Sequence, residues 1–482
     1  MRILFLTKSV GLTEPLGIMY LSSALKSSGH DTFFINAEHS RDPLAQAESY
    51  SPDILAYSLT TGLQDYYLLL NRRLRRRLPK ALSVFGGPHP TFFPEMIEEE
   101  GVDAVCRGEG EKAMVELADR LSSGKSIREI RNLWVKEGDK IYRNPPRPLV
   151  TNLDSIPHPD RQLVYAQDRW VREYPIKHFI TTRGCPYDCT YCFNHALAQI
   201  YSRESGGDSR RVRWRSVDDL IAEVQEVASK YPLQLVRFVS DIFILSRRWL
   251  MEFAEKFPKE IGLPFSCNVR ANLVNDGVAS LLKSAGCLSV LMGVESGDEE
   301  LRNKVLGRRM STQTIINAAQ SLHRYRIGIY SQNMLGLPGE TFKQALGTMQ
   351  LNSRIRAKFA WASIFQPYPR TRLGEYAVNQ GYYDGRYSDL EITYHSHSPL
   401  TFKVKGDKRR IESLHRLFSL GAAMPGLSDL VQEACTLPPN PLTNLLYRLW
   451  YGLALKARIF PIRYKPRLFF ASVGRFFKKD RG

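Results

Sequence analysis

The stretch Cys185-Pro-Tyr-Asp-Cys189-Thr-Tyr-Cys192 decides how this chain is to be read. It follows the apolar run His178-Phe-Ile-Thr-Thr and precedes a region rich in small and basic residues. Three thiolates on one short loop can hold three irons of a cubic [4Fe–4S] cluster and leave the fourth iron open to a substrate or cofactor. The competing chemistry is a zinc site. Structural zinc takes four ligands, usually as two C-x2-4-C pairs, so His195 would have to complete the set.

Working outward, short apolar or β-branched runs each end in glycine or a polar side chain: Phe238-Val-Ser-Asp241-Ile-Phe243, Gly293-Val-Glu295-Ser296-Gly297, Leu335-Gly336-Leu-Pro-Gly339-Glu340-Thr341 and Phe365-Gln366-Pro-Tyr-Pro369. Residues 288–295 read as a buried strand, and 216–230 as an amphipathic helix with Leu220, Ile221, Val224 and Val227 on one face. Such alternation predicts parallel β/α units with ligands at the carboxyl ends of the strands.

The spacing C-x3-C-x2-C, with an aromatic residue before the last cysteine, resembles the radical S-adenosylmethionine (SAM) superfamily, and the four strand-end motifs resemble its downstream elements in order. The resemblance implies that Cys185, Cys189 and Cys192 hold the [4Fe–4S] cluster. It implies SAM contacts at Tyr191, Asp241, Glu295, Ser296, Gly336 and Gln366, with Tyr191 beside the adenine. Arg270 is read as a SAM or substrate contact, with a structural ion-paired role as the alternative.

Residues 1–125 predict a different unit. Arg2-Ile-Leu-Phe-Leu-Thr7, 32–36, 53–59 and 82–87 read as strands, alternating with helical stretches at 15–29 and 66–78. In such a doubly wound layout the ligand crevice lies near 10–17, 58–62 and 86–91. Gly86-Gly87-Pro88-His89-Pro90-Thr91, followed by Gly108-Glu109-Gly110-Glu111, resembles the cobalamin-binding domain that precedes many radical SAM enzymes. That resemblance implies cobalamin contacts at Pro15, Gly17, Ser58, Thr60, Gly86, Gly87, His89 and Glu109. No Asp-x-His-x-x-Gly loop is present to supply a histidine beneath cobalt, and His89 reads as a solvated or tail-contacting side chain rather than a ligand.

Breakers at 137–140, 144–148 and 156–160 predict a linker over 126–172, so the expected order is a cobalamin-binding Rossmann-like domain at 1–125, the linker, a partial (β/α)6 barrel at 173–380 and a helical basic extension at 381–482. The fold class is α/β. With 43% apolar residues and no uncharged apolar stretch of about 18 residues, no spanning helix is expected. Cys106, Cys267, Cys287 and Cys435 lack pairing spacing, which points to a reducing cytoplasm and a single cluster.

The net charge of +18 is unevenly placed: residues 441–482 carry ten Lys or Arg against Asp480, half of the total. They interleave with Leu445, Leu446, Leu449, Trp450, Leu453, Phe469 and Phe470. That mixture suits peripheral contact with an anionic membrane; a terminal helix packed on the barrel and a nucleic-acid partner are the alternatives. The family resemblance implies a cobalamin-dependent enzyme, most simply a C-methyltransferase acting on an unactivated carbon of a lipid or small molecule, served by an external electron donor such as flavodoxin or ferredoxin. A cyclase, oxidase or carbon–carbon coupling enzyme built from the same parts is the second expectation. A membrane- or RNA-associated iron–sulfur sensor is the third.

Overall fold

The computed structural model describes residues 1–482 except 12, 206–211, 387–389, 391–396, 455–457, 459–465 and 479–482. It divides into two compact units, one of residues 1–174 with 196–213, the other of 175–195 with 214–482.

The first unit is built on a seven-stranded sheet: β1 (Arg2–Thr7), β2 (Asp31–Asn36), β3 (Ile54–Ser58), β4 (Leu82–Gly86), β5 (Ala104–Cys106), β6 (Leu133–Glu137) and β7 (Lys140–Arg143), in the order β2-β1-β3-β4-β5-β6-β7. The first five strands are parallel. Their near-continuous apolar sequences suit strands covered on both faces by helices such as Leu16–Ser27, Gln64–Arg77 and Glu111–Ser122. Strand order reverses at β1, whose neighbours are β2 and β3, and this is where a doubly wound sheet opens its crevice.

The segment expected as a linker is not one. β6 and β7 extend the sheet antiparallel to β5, and Gly138, at φ 58°, sits in the two-residue hairpin turn between Glu137 and Lys140. Further on, Asp160 caps the helix Arg161–Tyr165 and pairs with Lys26 at 2.7 Å, while Arg161 meets Glu14 at 2.8 Å in a buried ion pair. The breakers mark turns in packed chain rather than a tether. Residues 196–213 also belong to this unit: Arg107 forms a two-pronged pair with Glu204 at 2.6 and 2.7 Å, and Arg213 reaches Glu109 at 2.9 Å.

The second unit holds six parallel strands in sequential order, Ile176–Phe179, Leu235–Phe238, Phe265–Val269, Cys287–Glu295, Gly328–Leu335 and Phe359–Ile364, curled into a partial barrel. We number them barrel strands one to six. The helices Val217–Lys230, Arg247–Glu260, Asp276–Ser284, Thr312–Arg324 and Phe342–Arg354 return the chain between them. Each begins on a Ser, Asn or Thr whose side chain accepts from a backbone N–H of its first turn, a cap contributing about 1 kcal/mol. The outward residues of the strands pack on these helices; Phe238, Phe243, Phe253, Phe257 and Phe265 form one aromatic cluster there.

At the carboxyl-terminal side of this unit, helix Asp407–Ala423 packs on the sixth barrel strand. Helix Pro441–Ala454 then lays Tyr447, Tyr451 and Ala454 against Leu291, Tyr330, Phe359 and Trp361 of barrel strands four, five and six. Its other side is bare: Leu442, Leu445, Leu446, Leu449 and Leu453 are 40–65% exposed. A packed helix and an apolar outer stripe are therefore both present. Five of the ten basic residues expected to define the tail lie outside the described residues. No described helix is long and apolar enough to cross a membrane.

Candidate active site

The cysteine segment leaves the first barrel strand through Gly184, at φ 91°, and closes as a tight turn in which the Cys192 amide donates to the Cys189 carbonyl at 3.2 Å. Thr190 pins the loop: its amide and hydroxyl donate to the carbonyls of Leu306 and Val305, and its own carbonyl accepts from Leu373. All three thiols thereby border one cavity of about 250 Å³ at the carboxyl ends of the barrel strands, which Tyr191, Asp241 and Glu295 also line. Burial pushes up the Cys185 thiol, and pushes Cys192 up to about 12. Buried thiolates need a cation to hold them, so the donor set fits a metal cluster.

Two arginines dominate the electrostatics. Arg270 stacks over the Tyr187 ring at 3.9 Å, approaches Cys189 Sγ at 3.4 Å and donates to the Arg308 carbonyl. Arg308 donates to Tyr191 Oη at 3.1 Å and pairs with Glu295 at 3.3 Å, and Tyr191 Oη donates to Glu295 Oε1 at 3.1 Å. Burial alone would lower Arg308, but facing Tyr191 and Glu295 raises it, so it stays charged. The Nε atoms of Arg270 and Arg308 are buried without a hydrogen-bond partner, polar capacity that an anionic group in the cavity would use. Asp241 is pushed up by burial, with a hydrogen bond from Asn194 pulling the other way.

Local backbone explains the motif glycines. Glu295 adopts φ 65°, left-handed and costly for a residue with a Cβ, at the end of barrel strand four. A Cβ at Gly293 would strike its carboxylate, and one at Gly297 would lie 2.5 Å from the Gly347 carbonyl. Gly336 and Gly339, at φ 74° and 80°, turn the loop after strand five, where the Gly336 and Leu337 amides donate to Glu340 Oε2 at 2.6 and 3.1 Å.

Of the residues expected around SAM, Tyr191, Asp241 and Glu295 line the cysteine cavity, whereas Ser296, Gly336 and Gln366 do not. The Ser296 hydroxyl accepts from the Asp298 amide, and Gln366 donates to the His397 carbonyl. His195 is not among the lining residues either. The structure adds Asn194, Asn268, Arg308 and Gln332, and it brings Arg270 in. Asn268 and Gln332 were findable as polar residues at inward positions of apolar strands; Arg308, in a loop after a helical turn, carried no local signal.

In the first unit the expected cobalamin residues differ in their surroundings. Pro15 and Gly17 open helix Leu16–Ser27 after β1; Gly17 is exposed, and a Cβ on it would meet nothing within 4 Å, so the protein itself does not require a glycine there. Ser58 ends β3 and Thr60 lies just beyond it. Gly87 is explained by the protein itself, with φ 96° and a Cβ that would sit 2.9 Å from the Leu59 carbonyl, whereas a Cβ on Gly86 would make only ordinary contacts from 3.6 Å. Glu109 is engaged by Arg213. His89, expected to be solvated or to contact the cofactor tail, is not solvated: it is buried, with Nδ1 3.1 Å from Thr61 Oγ1 and its ring stacked on Phe93.

Comparison with known proteins agrees with these two units. Residues 179–351 match the model of the radical SAM superfamily and residues 3–118 that of the B12 binding domain. An uncharacterized methyltransferase of Pyrococcus horikoshii, PH0819, is 30% identical over 377 residues, covering 77% of this chain and 80% of that protein. The anaerobic magnesium-protoporphyrin IX monomethyl ester cyclase of Cereibacter sphaeroides is 24% identical, covering 75% of this chain and 60% of its own. Among solved structures, the radical SAM methyltransferase TsrM from Kitasatospora setae, with cobalamin and a [4Fe–4S] cluster bound, shares the fold at a TM-score of 0.64 and 17% identity, over 83% of this chain and 79% of that one.

Proposed function

Because the chain belongs to the radical SAM superfamily, among the members that carry a B12-binding domain, we propose that it methylates an unactivated carbon of a lipid or another apolar small molecule. It is a cobalamin-dependent radical SAM enzyme whose cofactors are a [4Fe–4S] cluster, SAM and cobalamin. When bound, the cluster and SAM would supply radical hydrogen abstraction, and cobalamin would supply the methyl group.

What carries this proposal is the convergence of Cys185, Cys189 and Cys192 on one cavity with Tyr191, Asp241 and Glu295. The three cysteines are the ligands of the cluster. Glu295 and Asp241 receive the polar groups of SAM, and Arg270 and Arg308 offer Nε–H groups to its carboxylate. The Tyr191, Glu295 and Arg308 network fixes the orientation of the cysteine loop, so that positioning rather than acid–base chemistry is the task of the side chains. In the first unit the loops after β1, β3 and β4, with Pro15, Gly17, Ser58, Thr60, Gly86, Gly87 and the buried His89, form the cobalamin crevice. Glu109 supports it through Arg213. The electron comes from an external donor such as flavodoxin or ferredoxin.

The lipid part of the proposal rests on the helix Pro441–Ala454. Its exposed leucine stripe and the basic residues around it suit an in-plane position on an anionic membrane, with leucines at the acyl boundary. Incubation of anaerobically reconstituted protein with SAM carrying a labelled methyl group and a lipid extract tests both parts. We expect 5′-deoxyadenosine and a lipid product that carries the label. Formation of 5′-deoxyadenosine with an unlabelled, dehydrogenated or cyclised product would favour the cyclase-type outcome of the Cereibacter relative. Absence of SAM cleavage by the reduced protein would overturn the proposal.

A further inference from the structure

A second cavity, of about 760 Å³, lies at the other end of the barrel strands, beside the amino ends of strands four, five and six. Arg326, Arg356, Lys358, Arg458 and His323 are in its walls, and no aspartate or glutamate is among the described residues that line it. The Arg326 and Arg356 side chains and the Lys358 ammonium make no ion pair or hydrogen bond with any described residue. Lys358 is held below its ordinary value by burial and by the charge of Arg458. Like charges gathered without a counter-ion are unfavourable unless an anion completes the set.

The backbone makes the gathering more telling. Helices Thr312–Arg324 and Phe342–Arg354 both end in the same way: two residues past each lies an arginine in the left-handed region, Arg326 at φ 56° and Arg356 at φ 47°. That place in a helix end is ordinarily taken by glycine, because a Cβ there is strained. Complementing the helix dipole does not explain the choice, since Arg324 and Arg354 already stand in the two last turns. Two successive helix ends thus place exposed, left-handed arginines on the walls of one cavity, while Arg309 and Arg370 take the same backbone conformation away from it. Arg458, the third, follows the leucine-striped helix, and its carbonyl accepts from Tyr330 of barrel strand five.

We propose that this cavity binds a phosphate group, and that its source is the headgroup of an anionic lipid in the membrane on which helix Pro441–Ala454 rests. The proposal rests on the peripheral-membrane reading above and adds to it a headgroup site on the barrel itself. Its charge complements a phosphodiester, and the exposed Leu445, Leu446, Leu449 and Leu453 belong to the helix that leads into Arg458. Arginine forks recognise phosphate with two parallel hydrogen bonds, which favours this group over a carboxylate.

The double variant Arg326→Gly with Arg356→Gly tests it without endangering the fold, because glycine suits both backbone positions. Full-length protein, this variant and the variant Leu445→Ser with Leu449→Ser are compared for co-sedimentation with phosphatidylcholine vesicles with and without phosphatidylglycerol. Calorimetric titration with glycerol 3-phosphate forms the soluble arm. We expect the glycine variant to keep or gain thermal stability and to lose about thirtyfold in affinity for phosphatidylglycerol vesicles, from about 1 kcal/mol per cation. Unchanged vesicle binding by the glycine variant, with binding lost in the serine variant, would overturn the headgroup site and leave the membrane reading standing. Failure of the full-length protein to bind anionic vesicles would overturn both. Tight binding of glycerol 3-phosphate by a protein that ignores vesicles would overturn the lipid source.

Discussion

The hydroxyl of Tyr191 donates to Glu295 Oε1 at 3.1 Å, joining the cysteine loop to the end of the fourth barrel strand across 104 residues of sequence. The carboxylate it reaches stands on a strained left-handed residue and is held from its other side by Arg308. One network therefore fixes both the loop and the strand end.

Breaking it should be graded. Tyr191→Phe removes a hydrogen bond to a charged group and leaves the ion pair, so we expect a loss of about 1–3 kcal/mol in urea denaturation. Arg308→Met strands a buried carboxylate and should cost about 3–5 kcal/mol. Equal losses for the two would show that the network does not act as the geometry implies.

Replacing Cys185, Cys189 or Cys192 by Ala should each abolish bound iron and sulfide after anaerobic reconstitution, because three thiolates are the minimum that holds the cluster with an open iron. Cys106→Ala and Cys435→Ala, at buried positions away from the cavity, should retain full iron and sulfide content. Retention of the cluster without Cys189 would refute the ligand set.

His89→Ala should leave the axial-ligand signature of bound corrinoid unchanged in the absorption and paramagnetic resonance spectra, since the His89 ring is buried against Phe93 and its Nδ1 meets Thr61. A shift of that signature would make the histidine a cobalt ligand.

Glu340 gives a pH test. Burial pushes its carboxyl from 4.5 up to about 8, against the pull of the Leu337 and Gly336 amides. A carboxyl raised on folding binds its proton more tightly in the native state. Its contribution to stability is therefore full below the unfolded pKa and is lost as pH rises from about 4.5 toward 8. Glu340→Gln mimics the protonated form and should flatten the fall in melting temperature across that window. An unchanged slope in the variant would show that Glu340 does not titrate there.

Much of this was legible in the sequence because it is local. The cysteine spacing and the apolar strands depend on neighbours within a few residues, and the strand-end glycines announced turns. What stayed hidden depends on tertiary placement. Arg308 enters the cavity only because the loop after Val305 folds back on the cysteine segment. The breakers at 137–140 look alike in a tether and in a hairpin, and only pairing with β5 separates the two. Ser296 and Gln366 sit within strand-end motifs, yet their side chains meet backbone partners, the Asp298 amide and the His397 carbonyl. The burial of His89 likewise follows from Thr61 and Phe93, which no spacing rule connects.

The first unit takes residues 196–213 from beyond the cysteine loop, and this orders events during synthesis. Glu204 is the carboxylate for the buried Arg107, and Tyr201 accepts from the Glu109 amide, so neither need is met while the ribosome is still making residues 1–174. A nascent chain stalled there would hold a buried guanidinium without its carboxylate partner. Completion of the first unit must therefore wait until the three cysteines have already been translated.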